Sequence, residues 1–279
     1  MAKIVGGIMT SHVPLLGRAI ARNLQEDAYF KPWFDGFPAV HRWLAELKPD
    51  VALMVYNDHG LNFFLDKMPT FAVGAAPQYR NADEGWGIPV LPPFEGDVDL
   101  SWHLIESLVG DEFDITTCQE MLVDHAFTLP MAMLWPGRGA WPVRTVPVCV
   151  NTVQYPLPSA ARCWKFGEAI GRALRSWKSD ARVVVIGTGG LSHQLDGERA
   201  GFVNKAFDQR FMASLASDPQ WATRYSNAEL VEKTGTQGIE LLMWLITRAA
   251  LDGGATALHS NYHIPISNTA AGLMLFENP

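Results

Sequence analysis

The chain has 279 residues, 48% of them apolar and 18% charged, with a formal charge of −7. That balance belongs to a well-packed globular chain that buries a substantial core, and it excludes a disordered protein. There is no basic run for nucleic acid, no apolar stretch of about 18 residues to span a bilayer, and no signal-peptide core after Met1-Ala2-Lys3-Ile4. Neither nucleic acid nor a membrane is therefore an expected partner.

Residues 3–9 read as a strand, followed by Thr10-Ser11-His12-Val13-Pro14, where the Val-Pro step keeps His12 out of a regular helix. Residues 15–24 and 33–47 read as helices. In the second, Trp33, Phe37, Val40, Trp43, Leu44 and Leu47 share one face, and Pro38 can open its first turn. Residues 51–55 form a short apolar run that ends abruptly in Tyr56-Asn57-Asp58-His59-Gly60, the mark of a buried strand in a parallel sheet. Residues 70–75 offer another strand. The stretch 77–93 is rich in Gly and Pro without periodicity, and reads as a long loop of the kind that covers a site.

A helix over 99–108 and a strand over 113–118 follow, then Val123-Asp124-His125-Ala126 and an apolar segment to Trp135. A strong strand over 143–150 leads through Tyr155-Pro156-Leu157-Pro158 to Ser159, a good cap for a helix reaching about Trp177. Residues 182–186 are a third apolar strand, followed by Gly187-Thr188-Gly189-Gly190-Leu191-Ser192-His193. Helices over 204–215, 227–233 and 238–251 and a strand over 273–276 complete the chain. The alternation predicts an α/β fold: one domain over 1–279, with a central, mostly parallel sheet flanked by helices. Cys118, Cys149 and Cys163 show no CxxC spacing, so a disulfide framework or thiolate zinc site is not expected, and a reducing cytoplasm is.

Three strands thus deliver a histidine just past their carboxyl ends: His12, His59 and His193. Open α/β sheets bind ligands there, so the imidazoles are expected to converge on one crevice. His125 is a fourth candidate. His41 and His103 lie on helices and read as surface or satisfied core positions, and little is expected of His259 and His263. The glycines before His193 meet neither GxGxxG nor the Walker pattern, so they point to no phosphate site.

Glu240 is the only polar residue of 239–246. A carboxylate buried there must be paired, protonated or bound to metal, since isolation costs several kcal/mol. The competing possibility is a first-turn glutamate that faces water or accepts amide hydrogen bonds. Two histidines from strands and this glutamate would make a 2-His-1-carboxylate set. Such a set suits Fe(II), with open positions beside it, or a catalytic zinc. No HExxH helix is present.

Taken together, Ser11-His12, Tyr56-Asn57-Asp58-His59, Val123-Asp124-His125, GTGGLSHQ at 187–194, GIELLMWL at 238–245 and SNTA at 267–270 form a familiar pattern. The chain resembles the β-subunit (LigB-type) family of protocatechuate 4,5-dioxygenase, a group of class III extradiol ring-cleaving dioxygenases. ADEGWG at 82–87 and Arg199-Ala200-Gly201 fit as well, so the likeness runs nearly end to end. The resemblance implies mononuclear Fe(II) held by His12, His59 and Glu240, with His193 as acid–base and His125 as a second pocket histidine. It implies that Asn57 and Ser267 line the substrate pocket, with Ser267 near a substrate carboxylate and Asn268 on the same wall. Ala126 stands where the family commonly has Gly, and its Cβ is expected to narrow the pocket or shift His125.

The implied reaction is O₂-dependent extradiol opening of a carboxylated catechol. Protocatechuate is the first expectation, giving 4-carboxy-2-hydroxymuconate semialdehyde, with gallate or 3-O-methylgallate as alternatives. A separate small helical α subunit, in an α₂β₂ assembly, is the implied partner. Two readings from other classes stay open: a zinc hydrolase and a non-catalytic Memo-type binding protein.

Overall fold

The run Val51–Tyr56 is buried along its whole length. Val51, Leu53 and Val55 pack into one apolar layer while Ala52, Met54 and Tyr56 pack into the other. Period-two alternation with both faces covered is what a central strand of an α/β sheet requires. The computed structural model describes every residue except Trp86, Pro89, Arg138, Gly139, Ile266 and Ser267. Among the described residues the strands are β1 (Lys3–Thr10), β2 (Val51–Tyr56), β3 (Phe71–Gly74), β4 (Gln78–Asn81), β5 (Phe94–Glu95), β6 (Thr116–Cys118), β7 (Leu122–Val123), β8 (Arg144–Val150), β9 (Arg182–Thr188), β10 (Thr256–His263) and β11 (Ala271–Glu277).

Eight of them form one sheet in the order β10-β11-β1-β9-β2-β8-β3-β6. The middle four, β1, β9, β2 and β8, run parallel. Antiparallel partners flank them: β11 and β10 on one side, β3 on the other, with β6 parallel to β3. The predicted α/β fold with its mostly parallel centre is the fold observed. Helices Val98–Gly110, Ala160–Ser176, Lys205–Ser217 and Leu241–Ala250 cover one face, and Pro14–Ala21, Phe37–Leu47 and His125–Leu134 cover the other. Gly167 lets two of these helices touch: a Cβ there would lie 2.2 Å from the Ile246 carbonyl oxygen. Among the described residues no helix is long and apolar enough to cross a membrane.

Several strands depart from the sequence expectation. Residues 77–93 are not loop throughout, because β4 lies within them and joins β5 and β7 in a small second sheet. Its four residues carry one buried apolar side chain, Tyr79, too few to show a period. Strand β10 escaped for the opposite reason. It sits at the sheet edge with mostly exposed or half-buried residues, so no apolar alternation marks it. The predicted helix over 33–47 is two pieces, Lys31–Phe34 and Phe37–Leu47, with Pro38 in the first turn of the second. The predicted strand over 113–118 is ordered as strand only at Thr116–Cys118.

Candidate active site

β9 lies between β1 and β2, so the segments leaving their carboxyl ends stand side by side. Pro14 opens the helix after β1, which leaves His12 in the connection, turned to the crevice and 4% exposed. His59 follows β2 on the rim, its side chain 27% exposed. Glu240 closes a 3-10 turn, Gly238–Glu240, that leads into Leu241–Ala250. It is therefore both buried and at a helix start, where the two sequence readings of it had stood apart.

His12 Nε2 lies 3.4 Å from Glu240 Oε2, and His59 Nε2 lies 3.4 Å from Glu240 Oε1. The His12 and His59 rings meet edge to face at 88°, centroids 5.3 Å apart. The carboxylate also accepts from the Gly190 N–H at 2.6 Å and from Asn57 Nδ2 at 3.1 Å. Burial would push the Glu240 carboxyl up, but the charge of His12 and hydrogen bonds from both histidines hold it well below the usual range. Burial pushes His12 down. Burial would do the same to His59, but hydrogen bonds to Asp124 and Glu240 prevail and raise it to about 10.

Each histidine has a partner on its other nitrogen. His12 Nδ1 lies 3.2 Å from the Thr188 hydroxyl at the end of β9. His59 Nδ1 lies 3.0 Å from Asp124 Oδ2, which also accepts the His59 backbone N–H at 2.8 Å. Those bonds hold Asp124 down to about 2 although burial opposes it. Asp124 was known from the sequence only as a neighbour of His125, and its task is to orient His59.

The donor set fits a metal ion. Two cis ligands with bonds of about 2.1 Å stand about 3.0–3.4 Å apart, the spacing found here from each imidazole to the carboxylate. Nitrogen atoms of His12, His59 and His125 also lie within 4.8 Å of one another, so His125 is a second candidate for the third position. Its ring, however, stacks on His59 at 4.2 Å and 29°, and lone pairs in near-parallel planes do not converge on one atom. Glu240 is the better third ligand.

His193 joins the same crevice. Its Nδ1 lies 2.9 Å from the Leu191 carbonyl oxygen, which only accepts, so the proton sits on Nδ1. A Cβ on Gly190 would lie 2.4 Å from His193 Cε1 and 3.3 Å from Glu240 Oε2, a close approach that only glycine permits. His12, His59, His125, His193 and Glu240 share a cavity of about 320 Å³ with Thr152, Gln237 and Thr269, among others.

Asn57 is fully buried against Glu240 and His59, behind the cavity wall. Asn268 is exposed with left-handed backbone (φ 55°), and buried Thr269 beside it lines the cavity. Ser267 lies outside the described residues. Ala126 turns into the apolar layer, because one helical step rotates it away from His125, so its methyl does not narrow the pocket. His41 and His103 are half-buried and satisfied, bonded to the carbonyls of Met133 and Ala173. His259 and His263 sit on edge strand β10, away from the site.

Residues 6–274 match the family model described as the catalytic LigB subunit of aromatic ring-opening dioxygenase. The chain belongs to the LigB family. It is 41% identical over 197 residues to a gallate dioxygenase of Pseudomonas putida, covering 71% of this chain and 58% of that protein. A 2,3-dihydroxyphenylpropionate/2,3-dihydroxicinnamic acid 1,2-dioxygenase of Rhodococcus sp is 33% identical over 183 residues, 66% of this chain and 54% of that protein. This LigB chain thus spans just over half the length of each. A Pseudomonas putida enzyme of that second name is 28% identical, and the match covers 94% of both chains. The fold is shared with an uncharacterized Escherichia coli K12 protein at TM-score 0.57 and 13% identity, covering 97% and 99% of the two chains.

Proposed function

We propose that this LigB chain is one catalytic unit that opens a carboxylated catechol beside its diol, using Fe(II) and O₂. The observation that carries the proposal is the meeting of His12, His59 and Glu240 beside His193 in one cavity. Fe(II) held by the first three would supply Lewis acidity and the redox link between diol and O₂.

The chain's own groups do the rest. With its proton on Nδ1, His193 presents Nε2 as a base that takes a proton from a substrate hydroxyl. The same atom returns that proton later. Asp124 holds the His59 ring so that Nε2 faces the crevice, and Gly190 and Asn57 hold both Glu240 oxygens. His125 stands beside the ligands as a second pocket histidine. Ser267 and Asn268 are assigned to the substrate carboxylate on the family resemblance alone.

Protocatechuate, opened at its 4,5 bond, is the first substrate we propose. Gallate is the second, favoured by the identity to a gallate dioxygenase, and the two differ by one hydroxyl. Val153 and Leu195, 43% and 66% exposed, rim the cavity, an apolar border that suits the cover of a small helical α subunit. Three free cysteines suit a reducing cytoplasm.

The test is anaerobic loading with Fe(II), then O₂ uptake with protocatechuate, gallate and 3-O-methylgallate, with and without an α subunit. One O₂ consumed per ring, with a coloured ring-fission product, is expected. No uptake with any of the three, or hydrolase activity in the zinc-loaded chain, would overturn the proposal.

A further inference from the structure

The stretch 82–87 belongs to the family pattern, yet the chemistry above gives it no task. Its Glu84 grips His125 at two points. Oε2 accepts the His125 backbone N–H at 2.6 Å, and Oε1 lies 2.8 Å from Nδ1 of the ring. Both side chains are largely buried, 17% exposed for Glu84 and 5% for His125.

The small sheet builds this contact. β4 and β7 run parallel with Asn81 paired to Val123, and the Ala82 N–H extends the ladder to the Val123 carbonyl. Glu84 follows three residues after Asn81, and His125 two residues after Val123. The register of one short strand pair therefore brings the carboxylate level with the imidazole.

Two carboxylates divide the work. Asp124 spends Oδ2 on His59 and Oδ1 on the Ala126 N–H that opens the next helix. Glu84 spends both oxygens on His125. Glu84, Asp124 and His125 cluster closely enough to hold a cation, but these carboxylates are already committed to N–H groups, so they act as organisers.

A carboxylate only accepts hydrogen bonds, so an imidazole nitrogen facing it carries the proton. We propose that Glu84 is a positioning residue that keeps a proton on His125 Nδ1 and holds the ring stacked on His59, with Nε2 turned toward the substrate. The catalytic consequence rests on the proposed function. The tautomer does not.

Long-range ¹H–¹⁵N correlation spectra of the full chain, labelled at histidine and prepared without metal, test this directly, with His125→Asn assigning the signal. The unaltered chain is expected to show His125 protonated at Nδ1. In Glu84→Gln the amide oxygen takes the backbone N–H and the NH₂ faces Nδ1, so the proton should move to Nε2. The Fe(II)-loaded Gln variant should bind iron normally and lose about 10–100-fold in kcat. Glu84→Asp should keep the Nδ1–H form and recover part of that loss. If the tautomers behave as expected while no catechol drives O₂ uptake, the ring-opening function falls and the clamp stands. An Nε2–H ring with a bare Nδ1 in the unaltered chain, or a Gln variant with unchanged tautomer and kcat, overturns the clamp.

Discussion

His12 and His59 point at opposite oxygens of one carboxylate, but the two sides of the site are built differently. On the β1 side His12 is buried, its basicity lowered by burial, and its far nitrogen meets only the neutral Thr188 hydroxyl. On the β2 side His59 stands at the rim, its basicity raised, and its far nitrogen meets the Asp124 carboxylate. One wall is held by packing and the other by charge. At the proposed metal site a cation would meet His12 uncharged and would have to displace a proton from His59. Sites of this kind bind metal in competition with protons.

The strongest test of that contrast separates holding the ion from moving the proton. Glu240→Ala removes the group both walls share, and metal analysis should find the variant empty of iron. His193→Phe should keep its iron and lose about 10²–10⁴-fold in turnover, the usual worth of a positioned acid–base group. Near-normal turnover in the Phe variant would refute the acid–base role.

The next test compares the two supports. Asp124→Asn should weaken iron binding about 10–100-fold, as loss of an outer partner does at metal sites. Thr188→Val should weaken it less, because burial already orients His12. Equal losses in an Fe(II) titration would mean that the two walls are equivalent after all.

The smallest effect is in the pH dependence of the metal-free chain. His59 is raised to about 10, so its pairing contributes stability in full below its unfolded value near 6.5 and loses it as pH rises through about 10. Asp124 is lowered to about 2, so its share is present above about 4 and lost as pH falls through about 2. Thermal melts across pH should show both flanks in the unaltered chain and a shallower alkaline flank in Asp124→Asn. An unchanged alkaline flank would show that Asp124 does not hold the His59 proton.

Much of this was legible in the sequence because buried parallel strands are written as apolar runs. The runs that became β1, β2 and β9 were plain, and a histidine past each end marked the crevice. Glu240 was legible as an anomaly, one charge in an apolar helix start. What the sequence hid were contacts made across distance. Glu84 reaches His125 only because Asn81 pairs with Val123, and β4 carries no period to announce that pairing. Asp124 was visible as part of a motif, but nothing in its spacing says that it serves His59 rather than His125. Asn57 was assigned to the substrate by resemblance, whereas its contacts are with Glu240 and His59.

Gly190 ties the two jobs of the crevice together. Its amide hydrogen bonds the Glu240 carboxylate while its bare α-carbon makes room for the ring of His193. A single methyl group added there would press on the His193 ring and the Glu240 carboxylate in one stroke. Any side chain at this position therefore acts on both residues together and cannot adjust one without the other.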